Sequence, residues 1–386
     1  MVSYFKTILF SLFAASCIIG CSSPTTTNDI DKTACTEIEI SEIKDSVLFS
    51  DIIDEYQLIP LSNKNEYIIG NINQVIIDNE KIYISSDGVF CFDMKGNPIF
   101  KVNEKGGNKS ELNQVSSISV QDGILYVHDD PKRVIHKYNS LDGSFIENIS
   151  LPMAEKYIYK TPKSFVIETY GLPSEFYEGK ARFLLSDNFS DSPKNEYLSD
   201  DLYRMPIFGQ ATFNNDYVLY SDYFNNNVYK IDDNGCCLNY HINFKEFTPL
   251  PSNLVNDMLK NNTLIAEGKD YQYGLVDMYE SQDFFWGNFQ GGVMCNVVHN
   301  KKSDNSIAFK KISSSKYQMT PYKFVGTNNG YFIHVIPAEA IIMHKKICGL
   351  GDILPSGHPD FDKQRVFMNC KADDNPIIAL YKFKNF

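Results

Sequence analysis

Histidines, paired carboxylates, and aromatics set beside arginine are the side chains of this sequence with the chemistry to act on a ligand. The seven histidines are His128, His136, His241, His299, His334, His344 and His358. A metal site built on one strand needs ligands two residues apart, because only alternate side chains share a face. No two of these histidines have that spacing. His128 and His136 fall on neighbouring strands of one repeat and could face a channel; the plainer reading makes them polar residues on strand surfaces. Carboxylates pair at Asp129-Asp130, Asp232-Asp233 and Asp373-Asp374. Two acids across a cleft can run glycoside hydrolysis, but all three pairs sit in turn-like segments, where Asp is chosen because it bonds its own backbone. No Asp-x-Asp-x-Asp-Gly calcium loop is present.

Tyr170, Phe176, Tyr177, Arg182, Tyr203, Arg204, Tyr223 and Trp286 fall in or beside expected loops. Aromatic rings stack on sugars and peptides, and arginine adds forked hydrogen bonds, so Tyr170, Tyr177, Arg182, Tyr203, Arg204, Tyr223 and Trp286 are the candidate ligand-binding residues. Packing between sheets would use the same aromatics. His-Glu-x-x-His, Gly-x-Ser-x-Gly, Walker, Cys-x-x-Cys and Gly-x-Gly-x-x-Gly motifs are all missing from the sequence. It therefore names no catalytic residue, no metal ligand and no cofactor.

The elements that must position these residues are strands. Of 386 residues, 43% are hydrophobic, enough for a core, and 13% are aromatic, with 27 Phe and 24 Tyr against one Trp, a bias toward β structure. Similar units recur. Glu80–Gly96, Asp122–Gly143 and Asp216–Gly235 each run as an alternating strand, a short polar turn, a second alternating strand and a turn carrying Gly. Period-two alternation marks half-buried strands, and Asp/Asn/Gly pairs are hairpin chemistry. The aromatic centres of successive units are Tyr83, Tyr126, Phe165, Tyr220, Phe285 and Phe332. These six units predict an all-β, six-bladed β-propeller over residues 50–386, with short helical insertions in the later blades. A pair of β-sandwiches is the competing arrangement. The insertions are expected as helices from Ser252 to Leu259, from Pro337 to Lys346 and from Phe361 to Met368. Such excursions project from one end of a propeller and shape its mouth.

The N-terminus reads as an address. Lys6 precedes an apolar stretch, Ile8–Ile19, shorter than the ~20 residues a helix needs to cross a bilayer but the size of a signal-peptide core. It ends in Ile18-Ile19-Gly20-Cys21, which resembles the lipobox of bacterial lipoproteins. That resemblance implies a signal peptide over 1–20, cleavage before Cys21, a diacylglyceryl and palmitate-bearing Cys21, and a tether and N-terminal segment over 21–49. Ser22 rather than Asp follows the cysteine, which points to the outer membrane. Seven of the nine cysteines lie beyond Cys21, an odd number with no visible disulfide framework. A Cys236-Cys237 bond would close a strained ring. With 36 basic against 48 acidic residues and a net charge of -12, the chain is a poor nucleic-acid binder.

Three further segments carry a family likeness. Ser50–Leu61 resembles the opening strand, and Lys105–Leu112 the glycine-rich, acid-terminated turn between the first two blades, of the six-bladed, NHL-like β-propeller lipoproteins of Bacteroidetes. Asp374–Phe383 resembles their closing strand. The resemblance implies a ring closed by pairing strands from the two chain ends. Because no convergent set of His, Asp, Glu or Asn ligands from several blades can be named, the chain is expected to be a cell-envelope protein acting as a non-catalytic binding or scaffold module for a glycan, a peptide or a partner envelope protein. The alternative is a propeller hydrolase or lyase with a metal or an acid pair at the channel mouth.

Overall fold

Short turns set the hairpins. Asn79-Glu80, Asp122-Gly123 and Asn329-Gly330 each hold both residues at positive φ, the conformation whose twist matches that of the strands it joins. In the structure, a computed structural model, residues 30–33, 35–63, 67–179, 181–198, 210–221, 226–249, 271–291, 294–315, 317–349 and 352–386 are described. The signal segment, Cys21, the expected helix at Ser252–Leu259, and Tyr203, Arg204 and Tyr223 lie outside these residues.

The hairpins build the six blades of a propeller. Blade I spans 74–102, blade II 117–150, blade III 157–197, blade IV 210–244, blade V 271–309 and blade VI 326–383, all antiparallel. All six aromatic centres occupy the second strand of their blade. Tyr83, Tyr220, Phe285 and Phe332 have no exposed surface there. The apolar side chains do not meet at one centre but in clusters between the faces of neighbouring blades. Both faces of a blade are therefore buried, which is why strands such as Val89–Asp93 read as continuous apolar runs.

Polar side chains tie the innermost strands together where adjacent blades splay apart. The amide of Gln74 donates to the Ile118 carbonyl at 3.0 Å and accepts the Ile118 N–H at 3.1 Å. Ser117 Oγ donates to the Ile158 carbonyl at 2.7 Å, and Ser119 Oγ accepts the Lys160 N–H at 2.9 Å. These bonds satisfy backbone groups that no strand can reach.

The closing strand Ile377–Phe383 pairs with Tyr331–Ile336 on one side and with Ile53–Pro60, from the other end of the chain, on the other. That pairing completes the four strands of blade VI, with Ile53–Pro60 as its outermost strand. The segment ahead of residue 50 also takes part. Thr36–Ile40 adds a parallel fifth strand to blade IV, and Val47–Leu48 pairs with Ile312–Ser313 beside blade V. Ile38 and Ile40 are buried. Residues 36–48 thus strap the outer rim of blades IV and V, ahead of the domain start at residue 50 that the sequence reading set.

Two helices leave blade VI, Ala338–Cys348 and Phe361–Asn369, matching the expected insertions. All seven described cysteines are free, and Cys91, Cys236, Cys295 and Cys370 are buried.

Candidate functional site

The two ends of the propeller differ. At one end the strands are joined by turns such as 79–80, 122–123 and 329–330. At the other lie the long connections 169–182, 310–325 and 337–376. The channel opens at that loop-rich end into a cavity of about 1340 Å³. Its wall is built where the innermost strands begin, from Asn71, Asn73 and Gln74 of blade I, Gln114 and Ser116 of blade II, Gln210 and Thr212 of blade IV, and the rim of blade VI. Aromatic surface comes from Tyr157, Tyr159, Phe213, Tyr279, Tyr170 and Tyr322. Tyr159 and Phe213 stack across the blade III–IV junction with ring centres 4.5 Å apart and planes 7° apart.

Blade III supplies a buried ionic group. Glu168, at the end of the second strand, borders the cavity and is fully buried. Its Oε1 accepts from Arg182 Nη2 at 2.5 Å and from Lys156 Nζ at 2.8 Å, while Oε2 has no partner. The Arg182 guanidinium also lies 5.7 Å from the Tyr220 ring centre. Burying a carboxylate is costly unless cations pair with it, and these two supply that pairing.

At the blade II–III rim, Asp130 accepts the Glu155 N–H at 3.1 Å and the Tyr170 hydroxyl at 3.2 Å, and Glu155 accepts the Tyr170 N–H at 3.2 Å. Burial pushes the Glu155 carboxyl up to about 8, opposed by the Tyr170 N–H and reinforced by the charge of Asp130. In blade V, burial pushes Asp277 up to about 7, against the pull of the cavity-lining Lys323, whose Nζ is 3.9 Å away. His334 borders the cavity, with Nδ1 2.6 Å from the Lys323 carbonyl and the Tyr322 ring edge-on at 4.9 Å. Its burial lowers it to about 4, so it is neutral at pH 7.

The sequence candidates divide. Tyr170 lines the cavity and is 45% exposed. Arg182 is buried behind the cavity and bears on it through Glu168. Tyr177 and Phe176 pack in the core beside blade III, and Trp286 stacks edge-on against Phe324 at 4.8 Å; none of the three faces the cavity. His128 and His136 are buried off the channel. His136 sits 3.6 Å from Asp129, and His128 faces the blade II–III interface beside Ser117. One member of each acid pair bonds local backbone, while Asp130 and Asp374 also border the cavity and Asp233 bonds Thr161, Lys163 and Ser164 of blade III. Asp129 accepts the Asn113 and Lys132 N–H groups, Asp232 the Asn234 N–H, and Asp374 the Lys371 N–H. Among the described residues, no group of three or more His, Cys, Asp or Glu is placed to hold a metal ion. Glu168, Lys156, Tyr157 and Lys323 were missed in the sequence. The available signal was position, since each stands at the start of a first strand, the end of a second, or the approach to a blade.

Comparison with known proteins bears out the architecture. The structure is similar to a protein of Bacteroides fragilis NCTC 9343 described as exported, with a TM-score of 0.72 at 13% identity, covering 91% of this chain and 100% of that one. Similarity to a DUF4221 family member from Bacteroides vulgatus is weaker, with a TM-score of 0.48 at 9% identity over 86% of this chain and 97% of that one. Virginiamycin B lyase from Staphylococcus aureus gives a TM-score of 0.37 at 12% identity over 72% and 81%. No curated protein matches the chain. The model of the domain of unknown function DUF4934 matches residues 35–382, from the rim strap to the closing strand, and the chain belongs to that family.

Proposed function

We propose that this chain is an exported, lipid-anchored outer-membrane protein whose propeller binds a polar ligand at the loop-rich end of its channel without transforming it. The cavity of about 1340 Å³ carries the reading, because amides, hydroxyls, aromatic rings and paired charges converge there from all six blades. Its occupant would be a glycan, a peptide or a segment of a partner envelope protein. Export is supported by the short apolar stretch ending at Cys21 and by the exported Bacteroides fragilis neighbour. No helix among the described residues is long and apolar enough to cross a membrane, so the attachment would be the lipid on Cys21.

Two measurements test this. Palmitate labelling is expected in the native chain and lost in Cys21→Ser; unchanged labelling would refute the anchor. On glycan and peptide arrays, replacing the cavity-lining Tyr170 and Tyr322 together by Ala should weaken binding about tenfold or more with the melting temperature kept. Conversion of the bound ligand would replace this reading by the hydrolase or lyase one, which draws on Asp277, an acid that burial holds near neutrality beside Lys323.

A further inference from the structure

We infer that the blade III–IV side of the cavity is a subsite for a neutral, polyhydroxylated ring, a sugar unit, held by one hydroxyl between Glu168 and Lys156. The inference rests on the binding role proposed for the cavity and names its ligand class. Glu168 is a buried carboxylate with one oxygen saturated by two cations and the other, Oε2, without a partner. Buried acceptors are ordinarily paired, and an exception needs an explanation. Lys156 covers the site with a side chain 26% exposed; its ammonium has three donors, of which Glu168 takes one.

Oε2 is itself closed to solvent, so a ligand reaches it only when the partly exposed Lys156 side chain swings aside, and a group that donates to Oε2 and accepts from Lys156 Nζ then bridges the two. A hydroxyl does both; an ammonium can only donate, and an ionised carboxylate or phosphate oxygen can only accept. Charge decides in the same direction. Arg182 and Lys156 already exceed the single charge of Glu168, so a cationic ligand is opposed, while an anion would set its oxygens against the lone pairs of Oε2. The apolar face of the ring has a platform beside the hydroxyl clamp. Tyr157 is half-buried with Lys156 Nζ 5.3 Å from its ring centre, and it continues into Tyr159, 6.1 Å away.

The test titrates the full chain with the methyl glycosides of glucose, galactose and mannose, alongside glucosamine, glucuronic acid and a tripeptide mixture, by ligand-observed NMR. At least one neutral glycoside should bind saturably and more tightly than either charged sugar. Glu168→Gln and Lys156→Met should each weaken it about tenfold. Should Glu168→Gln fail to fold, Lys156→Met carries the test, because its side chain is partly exposed. Glycoside affinity unchanged by Lys156→Met, or tighter binding of a charged sugar, would overturn the subsite. Saturable tripeptide binding with no glycoside binding would overturn the subsite and leave the cavity reading intact. Absence of saturable binding by any probe would overturn both.

Discussion

At the scale of single residues, burial holds several ionisable groups away from their ordinary protonation. Glu155 is 2% exposed, and its carboxyl is raised from 4.5 to about 8. Between those values the folded chain keeps a proton that the unfolded chain has lost, so this group's stabilisation is complete below about pH 4.5 and lost as pH rises through 8. Asp277 acts in the same sense between 3.8 and about 7. His128 and His334 act oppositely. Each is lowered to about 4 by burial, so each adds stability above 6.5 that disappears as pH falls through 4. Glu155→Gln keeps an acceptor for the Tyr170 N–H but removes the ionisation. Relative to the native chain it should be stabilising by roughly 3 kcal/mol more at pH 8 than at pH 5. Denaturant melts at the two pH values measure this; an equal effect at both would show that Glu155 ionises normally in the fold.

At the scale of elements, the rim strap makes the less obvious contribution. Thr36–Ile40 lies parallel to Gly235–Phe244, with Ile38 opposite Ile242 and Ile40 opposite Phe244. Both isoleucines pack in the cluster shared by blades IV and V, which includes Leu219, Leu275 and Phe289. Ile38→Ala removes apolar volume from a site that neighbouring strands cannot close, and should cost about 3 kcal/mol. A thermal melt reads the loss; a change within about 0.5 kcal/mol, as for a surface substitution, would mean that the strap is dispensable. The blade I–II turn shows how an element limits its residues. Gly106 has φ +152°, and a Cβ there would collide with the carboxylate of Glu111, which accepts the Asn108 N–H at 2.8 Å. Glycine is required there by the backbone angle, since the Glu111 carboxylate is the end of a flexible side chain that can give way.

At the scale of the whole molecule, stability depends on closing a ring. Each blade buries its faces against two neighbours, so none has an independent core, and the last is completed only when Ile377–Phe383 joins Ile53–Pro60. The native chain should melt in a single transition. Deleting 377–383 should abolish it, because deletion removes the partner of both flanking strands together with the fully buried Ile378, Ala379 and Tyr381. Calorimetry and limited proteolysis check both. A deletion variant that still melts cooperatively, or a native chain cleaved into two stable halves, would contradict a single closed ring. The same closure explains how function is distributed: the sheets are occupied with one another, and the cavity is left to strand ends and long loops at one end.

The sequence by itself determined what depends on local pattern. Two-residue turns at Asp122-Gly123 and Asn329-Gly330, apolar alternation, and one aromatic per repeat fixed the hairpins and the number of blades. Pro337 and the run after it marked the helix Ala338–Cys348, and the chain ends carried the closing pair. The strap was partly legible, since Ile38 and Ile40 alternate as a strand should, but nothing local says which blade receives them. Tertiary structure alone decided which polar and aromatic residues face the channel. Trp286 and Tyr177 have the same types in the same contexts as Tyr170, yet the first two are buried between sheets and the third stands at the rim. Glu168, Lys156 and Arg182 lie far enough apart in the chain to show no motif, and they meet because one hairpin and its long loop fold over one end of blade III. The physical reason is that alternation distinguishes a buried face from a solvated one, whereas a blade buries both. Its inward-pointing polar groups are selected by the neighbouring blade, and that neighbour exists only once the ring has closed.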